Sequence, residues 1–113
     1  MLNEGHGVIL NTVSVASFFA GKSGVAYTVS KHGLVGLTKS IAVFYGDKGI
    51  RCNAMVLGAV NTAIGLGSTN PSALGLELMK KSMASMSGVA DPSEIARLAL
   101  FLVADDSSYV NGS

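Results

Sequence analysis

The stretch GVILNT, at residues 7–12, places three consecutive apolar residues directly after a glycine. A short continuous apolar run of this kind is typical of a buried strand in a parallel sheet covered on both faces. A second such stretch, IRCNAMV, occupies residues 50–56. Between them, residues 25–45 have helical spacing, and Gly46 and Gly49 end the predicted helix. The apolar positions that recur along this helix are Leu34, Leu37, Ile41 and Phe44. The order strand, helix, strand predicts an α/β fold.

The rest of the chain predicts loops and two further helices. Residues 13–24, and the Gly-, Thr- and Asn-rich residues 58–70, are predicted to be loops. Asn70 and Pro71 favour a helix start, and that helix is expected to run to about Met86. Asp91 and Glu94 have the spacing of a capping box and are expected to open an apolar helix at residues 95–104. Since two strands are too few for a sheet buried on both faces, we expect part of a larger doubly wound fold.

Composition excludes several classes of protein. The 113 residues suffice for one domain. Apolar residues make up 49% and charged residues only 13%, which excludes a disordered chain. The net charge is +1 with no basic run, so neither a nucleic-acid surface nor an acidic membrane surface is predicted. The longest apolar run, residues 98–104, is far shorter than the roughly 20 residues of a membrane span. So few charges suggest that much of the surface is covered by a partner or by further chain.

Cysteine and histidine usage points to a reducing compartment without metal. Cys52 is the one cysteine, so it cannot form an internal disulfide, and it is predicted to be a small buried apolar residue. His6 and His32 lack a partner at metal-ligand spacing. No basic-then-apolar signal peptide opens the chain. We therefore expect a cytoplasmic protein with no metal site.

Tyr27 and Lys31 form the candidate for proton chemistry. They lie four residues apart on the predicted helix, so both side chains share one face. An ammonium near a phenol oxygen favours the phenolate, which would allow Tyr27 to give or take a proton near neutral pH. A surface tyrosine beside an unrelated lysine is the alternative. The pair alone does not decide between them, because some Tyr-x-x-x-Lys arises by chance fairly often.

Five motifs in the order found here resemble the short-chain dehydrogenases/reductases. They are NTVS at 11–14, YTVSK at 27–31, GLTKSIA at 36–42, GIRCNAMVLGAVNT at 49–62 and DPSEIARLALFLVADDSSYVNG at 91–112. In that family a serine stands thirteen positions before the tyrosine, and Ser14 occupies that position here. The resemblance covers essentially the whole chain and implies a Rossmann-like doubly wound parallel sheet, of which this would be the C-terminal portion.

The resemblance implies a role for each matched residue. Tyr27 would be the acid/base that exchanges a proton with the substrate oxygen, and Ser14 would hydrogen-bond that oxygen. Lys31 would favour the phenolate and hold the ribose of an NAD or NADP cofactor. Val60 and Thr62 would hold the nicotinamide carboxamide, and Tyr27 would lie against the same cofactor. The implied reaction is hydride transfer between the cofactor and an alcohol or ketone, with charge developing on one oxygen.

The chain also departs from the family pattern. Leu57-Gly58 stands where the family usually has Pro-Gly, which loosens the loop near the cofactor. The glycine-rich turn of the family's nucleotide-binding half has no counterpart. Residues 65–70, GLGSTN, look like the start of a phosphate motif, but no strand leads into them and no acidic residue ends a following strand. We interpret them as a loop. Residues 1–113 are therefore expected to form a single incomplete domain, the catalytic and substrate half, without the cofactor half and without the last strand.

The predicted long helix carries a second feature on its opposite side. Val29, Gly33, Gly36 and Ser40 lie roughly 160° around the helix from Tyr27 and Lys31. Small residues there suggest close approach of another helix, and the family pairs this helix with its copy. A homo-oligomer through the 26–45 helix is therefore expected, with packing inside the domain as the alternative.

Two interpretations of the chain remain open at this point. Met79, Met83 and Met86 fit either an adaptable lid over the substrate or a plain core stripe. The chain as a whole fits an NAD(P)-dependent oxidoreductase. The alternative is a truncated, non-catalytic chain that acts as a packing or oligomerisation module.

Overall fold

Two parallel strands form the centre of the molecule. The structure is a computed structural model that describes residues 1–64, 70–83 and 88–113, without the side chain of Met83. Strand β1 is Gly7–Ser14 and strand β2 is Ile50–Leu57. They pair in parallel from Gly7 opposite Ile50 to Ser14 opposite Leu57. The α/β expectation is confirmed. Both strands are longer than predicted, and Ser14 is the last residue of β1 and not part of a loop.

Helix α1, Val25–Tyr45, has the predicted bounds and connects the two strands. Thr38 and Ala42 are its buried residues, whereas Leu37 and Phe44 of the predicted apolar spacing are 52% and 70% exposed. The Thr38 hydroxyl donates to the Leu34 carbonyl at 2.8 Å and accepts from the Asn11 amide at 2.9 Å. The helix is thus joined to β1 by a polar contact as well as by its apolar face.

Gly49 makes the turn from α1 into β2 possible. Its φ of 77° lies in the left-handed region, where a side chain is strained. Its carbonyl accepts from the Gly7 amide at 3.1 Å, which brings the starts of the two strands together. A Cβ atom at this position would collide with the backbone carbonyl of Gly5. Both the conformation and the available space therefore require glycine.

Two further helices lie in the second half of the described chain. Helix α2, Ala73–Met83, begins after Ser72, whose hydroxyl accepts from the Gly75 amide at 3.2 Å. The prediction of Asn70 as its cap was wrong, because Ser72 caps the helix instead. The predicted end near residue 86 lies outside the described residues. Residues 65–69, which hold most of the GLGSTN loop, and residue 86 of the predicted methionine stripe lie outside the described residues.

Helix α3, Pro92–Val103, confirms the predicted capping box. Asp91 accepts from the Ser93 amide at 2.8 Å, and Glu94 accepts from the Asp91 amide at 2.8 Å. The hydrogen bonds from Ser93 lower the pKa of the Asp91 carboxyl. The helix begins three residues before the predicted start at 95 because Pro92 itself occupies the first turn.

The segment after α3 packs along β2 through polar side chains of the strand. The sequence analysis treated β2 as an apolar strand and did not predict these contacts. Arg51 donates to the carbonyls of Leu102, Ala104 and Val110 at 3.1 to 3.2 Å, where it also faces the negative end of the α3 dipole. Asn53, which is fully buried, donates to the Val110 carbonyl at 2.8 Å. These bonds hold residues 110–113 against the strand.

We expect Gly49→Ala to destabilise the chain. The left-handed conformation costs a residue with a Cβ about 1–2 kcal/mol, and the collision with Gly5 adds to that cost. A loss of 1 kcal/mol lowers Tm by roughly 4–8 °C in a domain of this size. Gly33→Ala is the control, because Gly33 is an exposed helix residue with open space around its Cβ position. That change should raise Tm slightly. A Gly49→Ala chain that melts at or above the parent temperature would contradict the assignment.

Candidate functional site

A cleft of about 490 Å³ opens at the carboxyl ends of the two strands. Ligands of open α/β sheets bind at this edge, and the volume falls in the range of about 300–1,000 Å³ common for small-molecule pockets. All five residues that the sequence analysis singled out line this cleft: Ser14, Tyr27, Lys31, Val60 and Thr62. They come from the end of β1, from the first turns of α1 and from the loop after β2.

Ser14 is held at the end of β1 by a small capping box. Its hydroxyl oxygen accepts from the Ala16 amide at 3.2 Å, and its own amide donates to the Ser17 hydroxyl at 3.1 Å. Among the described residues no group accepts the hydroxyl proton of Ser14. The oxygen is thus fixed in place while its proton remains available to a molecule in the cleft.

Tyr27 and Lys31 lie side by side on α1, as their spacing predicted. The Lys31 ammonium is 5.5 Å from the centre of the Tyr27 ring and donates to the Thr12 carbonyl at 2.8 Å. An ammonium has three protons, so two remain after the bond to Thr12. In the part of the chain that the structure describes, the Tyr27 hydroxyl has no hydrogen-bond partner. The cleft therefore presents a phenol and two ammonium protons in one place.

Thr12 is a contributor that the sequence analysis missed. Its carbonyl orients Lys31, and its role comes from the backbone, which no residue-type pattern reveals. The parallel pairing of β1 with β2 could have indicated it, because the last carbonyls of β1 must lie near the first turns of α1.

The wall opposite α1 is formed by the loop after β2. Val60 pairs with Ala90 in an isolated parallel bridge. The bonds of that bridge run from the Asn61 amide to the Ala90 carbonyl at 3.0 Å and from the Ala90 amide to the Ala59 carbonyl at 2.9 Å. The amide and carbonyl of Val60 itself point away from Ala90. Within the described chain neither group has a partner, so both can meet a ligand.

Thr62 follows on the same wall, and its hydroxyl oxygen accepts from the Ile64 amide at 3.4 Å. Like Ser14, Thr62 keeps its hydroxyl proton free of any described acceptor. An amide group of a ligand carries both a hydrogen-bond donor and an acceptor. The backbone amide and carbonyl of Val60, together with the Thr62 hydroxyl, offer the matching acceptor and donors.

Cys52 takes no part in the cleft. It is fully buried in β2, as predicted. Burial raises the pKa of its thiol, which a hydrogen bond with Thr38 offsets in part. The thiol is the less nucleophilic form of a cysteine, so Cys52 is a packing residue.

Neither a metal centre nor a membrane helix is found in the described part of the chain. No group of three or more His, Cys, Asp or Glu side chains comes together there. None of the helices in the described ranges combines the length and the hydropathy needed to cross a bilayer.

Comparison with known proteins identifies the family. The family model described as enoyl-(acyl carrier protein) reductase matches residues 1–113. The 3beta-hydroxysteroid dehydrogenase 2 of Eggerthella lenta is 43% identical over 106 residues, which is 94% of this chain. The chain belongs to the short-chain dehydrogenase/reductase family. The resemblance in the sequence motifs is thereby confirmed, and the two parallel strands are part of the Rossmann-like sheet of that family.

Solved structures of short-chain dehydrogenases/reductases superpose on nearly the whole chain. A 3-oxoacyl-[acyl-carrier protein] reductase from Brucella melitensis with bound NAD matches with a TM-score of 0.76 and 30% identity, over 99% of this chain. A gluconate 5-dehydrogenase from Burkholderia cenocepacia in complex with NADP and tartrate matches with a TM-score of 0.74 and 29% identity, over 98% of this chain.

This short-chain dehydrogenase/reductase chain spans about two fifths of the length of its relatives. It covers 41% of the Eggerthella lenta enzyme. Of the two solved structures it covers 39% and 43%. The matched part contains the cleft with all five predicted site residues.

We expect Cys52 to be unreactive in the folded chain. A disulfide-exchange reagent at pH 8 should label it at least about tenfold more slowly in buffer than in concentrated guanidinium chloride, since only the exposed thiolate attacks. Following the released chromophore over time gives both rates. Equal rates in the two solvents would contradict the burial of Cys52.

Proposed function

We propose that this chain carries the catalytic and substrate side of an NAD(P)-dependent oxidoreductase that interconverts an alcohol and a ketone. The observation that carries the proposal is the convergence of Ser14, Tyr27 and Lys31 on one cleft. Two hydroxyl groups with available protons and one ammonium are the groups that an oxygen gaining or losing negative charge requires.

The residues present fit the nicotinamide end of such a cofactor. The two remaining protons of Lys31 suit the ribose hydroxyls, and the unpaired amide and carbonyl of Val60 suit a carboxamide, with Thr62 beside it. Tyr27 lies on the same side as Lys31. When bound, the cofactor supplies or accepts the hydride. The adenine and phosphate end of the cofactor calls for a glycine turn at a helix N-terminus. We propose that this turn belongs to the part of the relatives that this chain does not span.

The chain's own residues handle the proton. Tyr27 gives its hydroxyl proton to the substrate oxygen in reduction and takes it back in oxidation. Ser14 donates to the same oxygen and holds it at the strand end. Lys31 places a positive charge beside the tyrosine ring, where it stabilises the oxygen anion left after proton transfer. The Thr12 carbonyl orients Lys31 for that task.

A second proposal concerns association through α1. Val29 is 65% exposed, and Gly33 and Gly36 have open space around their Cβ positions. Val43 and Phe44 continue this exposed face and are 78% and 70% exposed. Glycines let two helix backbones approach closely, and the apolar neighbours would be buried on contact. We propose a homo-oligomer through α1, rather than packing of this face inside the described domain. The same exposed face supports the non-catalytic packing module as the second candidate function.

We expect Tyr27→Phe to abolish most turnover. The test uses this chain fused to the preceding residues of the Eggerthella lenta relative, so that a cofactor half is present. Removing the hydroxyl removes the proton donor, so kcat should fall by about two to four orders of magnitude, while cofactor binding stays close to that of the parent. Tyr45→Phe, at the far end of α1, is the control and should leave kcat unchanged. Turnover above about a tenth of the parent value would exclude the acid/base role.

We expect Gly36→Leu to weaken association. The bulky side chain would hold the two copies of α1 apart, so light scattering should show a shift to smaller species. Gly36→Ala is the matched control, because a methyl group is small enough for close helix packing and favours the helix. An unchanged mass for Gly36→Leu would argue against an interface on this face.

A further inference from the structure

The wall of the cleft opposite α1 comes from a stretch of chain without charge. Between Arg51 and Glu77 the sequence contains no Asp, Glu, Lys, Arg or His. This stretch supplies the cleft wall from Leu57 to Ile64, and α3 adds Pro92 and Ile95. Apart from Thr62, the side chains on this wall are apolar or absent.

The charge of the described cleft is limited to one group, which lies at the Tyr27 end. Lys31 is the only ionisable side chain other than Tyr27 among the described lining residues. Its ammonium donates to the Thr12 carbonyl and lies over the Tyr27 ring. Asp91 and Glu94, next to Pro92 and Ile95, are tied to backbone amides in the capping box.

The parts of the chain that the structure does not describe add no charge either. Residues 65–69 read GLGST and residues 84–87 read ASMS. Whatever their placement, these residues bring no ammonium, guanidinium or carboxylate to the cleft.

An anionic substrate group that entered beside the wall would therefore lose its hydration without gaining a partner there, because the Lys31 ammonium lies at the Tyr27 end of the cleft. Charged groups enter protein interiors only when paired. An apolar carbon framework meets the opposite situation, since it buries apolar surface against the wall while its single oxygen reaches the hydroxyl groups of Ser14 and Tyr27.

We propose that the cleft selects an uncharged alcohol or ketone with an apolar carbon framework, and that it rejects substrates carrying a carboxylate or phosphate on the part of the framework that faces the wall. The oxygen lies at the Ser14 and Tyr27 end, and the framework lies against Leu57, Val60, Ile64 and Ile95. This proposal rests on the proposed function and names the substrate class of the same site.

Binding of a matched pair of ketones to the 113-residue chain tests the proposal. One probe is a cyclohexanone with a methyl group opposite the carbonyl, and the other has a carboxylate at that position. Ligand-observed NMR titration should give a dissociation constant at least about tenfold lower for the methyl ketone. Equal or tighter binding of the carboxylate, or no saturable binding of either probe, would overturn the proposal.

An added positive charge at the wall sharpens the test. Ile64 lines the cleft but is 77% exposed, so Ile64→Lys leaves the core intact. This variant should lower the ratio of the two dissociation constants, carboxylate over methyl ketone, by several-fold, because the carboxylate gains a partner. Leu74→Lys is the control, since Leu74 is 66% exposed in the same uncharged stretch and does not line the cleft. A preference that changes equally in both variants would count against the proposal.

The outcomes separate the two proposals. If the methyl ketone is preferred and the Tyr27→Phe fusion retains turnover, the cleft selects apolar ligands but the proposed chemistry is wrong. If Tyr27→Phe abolishes turnover and the carboxylate binds equally well, the chemistry holds and the substrate class is wrong.

Discussion

The parallel, in-register pairing of β1 with β2 is the constraint on which the rest of the structure depends. It starts where the Gly49 carbonyl meets the Gly7 amide and ends with Ser14 opposite Leu57. Because both strands run in the same direction and end at the same level, everything that follows them emerges at one edge. The capping turn after β1 and the loop after β2 therefore face each other, and the cleft lies between them.

Helix α1 adds Tyr27 and Lys31 to this edge because its position on the sheet is fixed at two points. Near its middle, Thr38 bonds the Asn11 amide of β1. Near its start, Lys31 bonds the Thr12 carbonyl of the same strand. Asn11 and Thr12 are consecutive residues, so a single short piece of strand orients the helix along two turns. Tyr27 lies one turn before Lys31 and takes its place in the cleft from the same two bonds.

Sequence reasoning reached the elements and the residues that line the cleft, but it missed the polar contacts that position them. The apolar runs and the Tyr27–Lys31 spacing depend on local periodicity, which the sequence displays directly. The roles of Thr12, Arg51 and Asn53 depend on which backbone carbonyls lie near them after folding, and such partners are far away in the chain. The cap of α2 was misplaced for a related reason, because Asn70-Pro71 and Ser72 offer competing starts and local propensity does not rank them.

The bridge between Val60 and Ala90 has a consequence for how this protein can diverge. It fixes the two ends of the intervening chain, including α2, at one place beside the cleft. The entropy of closing a loop changes only slowly with its length, so insertions and deletions between the two anchors cost little stability and leave Ser14, Tyr27 and Lys31 where they are. The segment between the two anchors can therefore change in length and sequence while the cleft residues of β1 and α1 keep their positions.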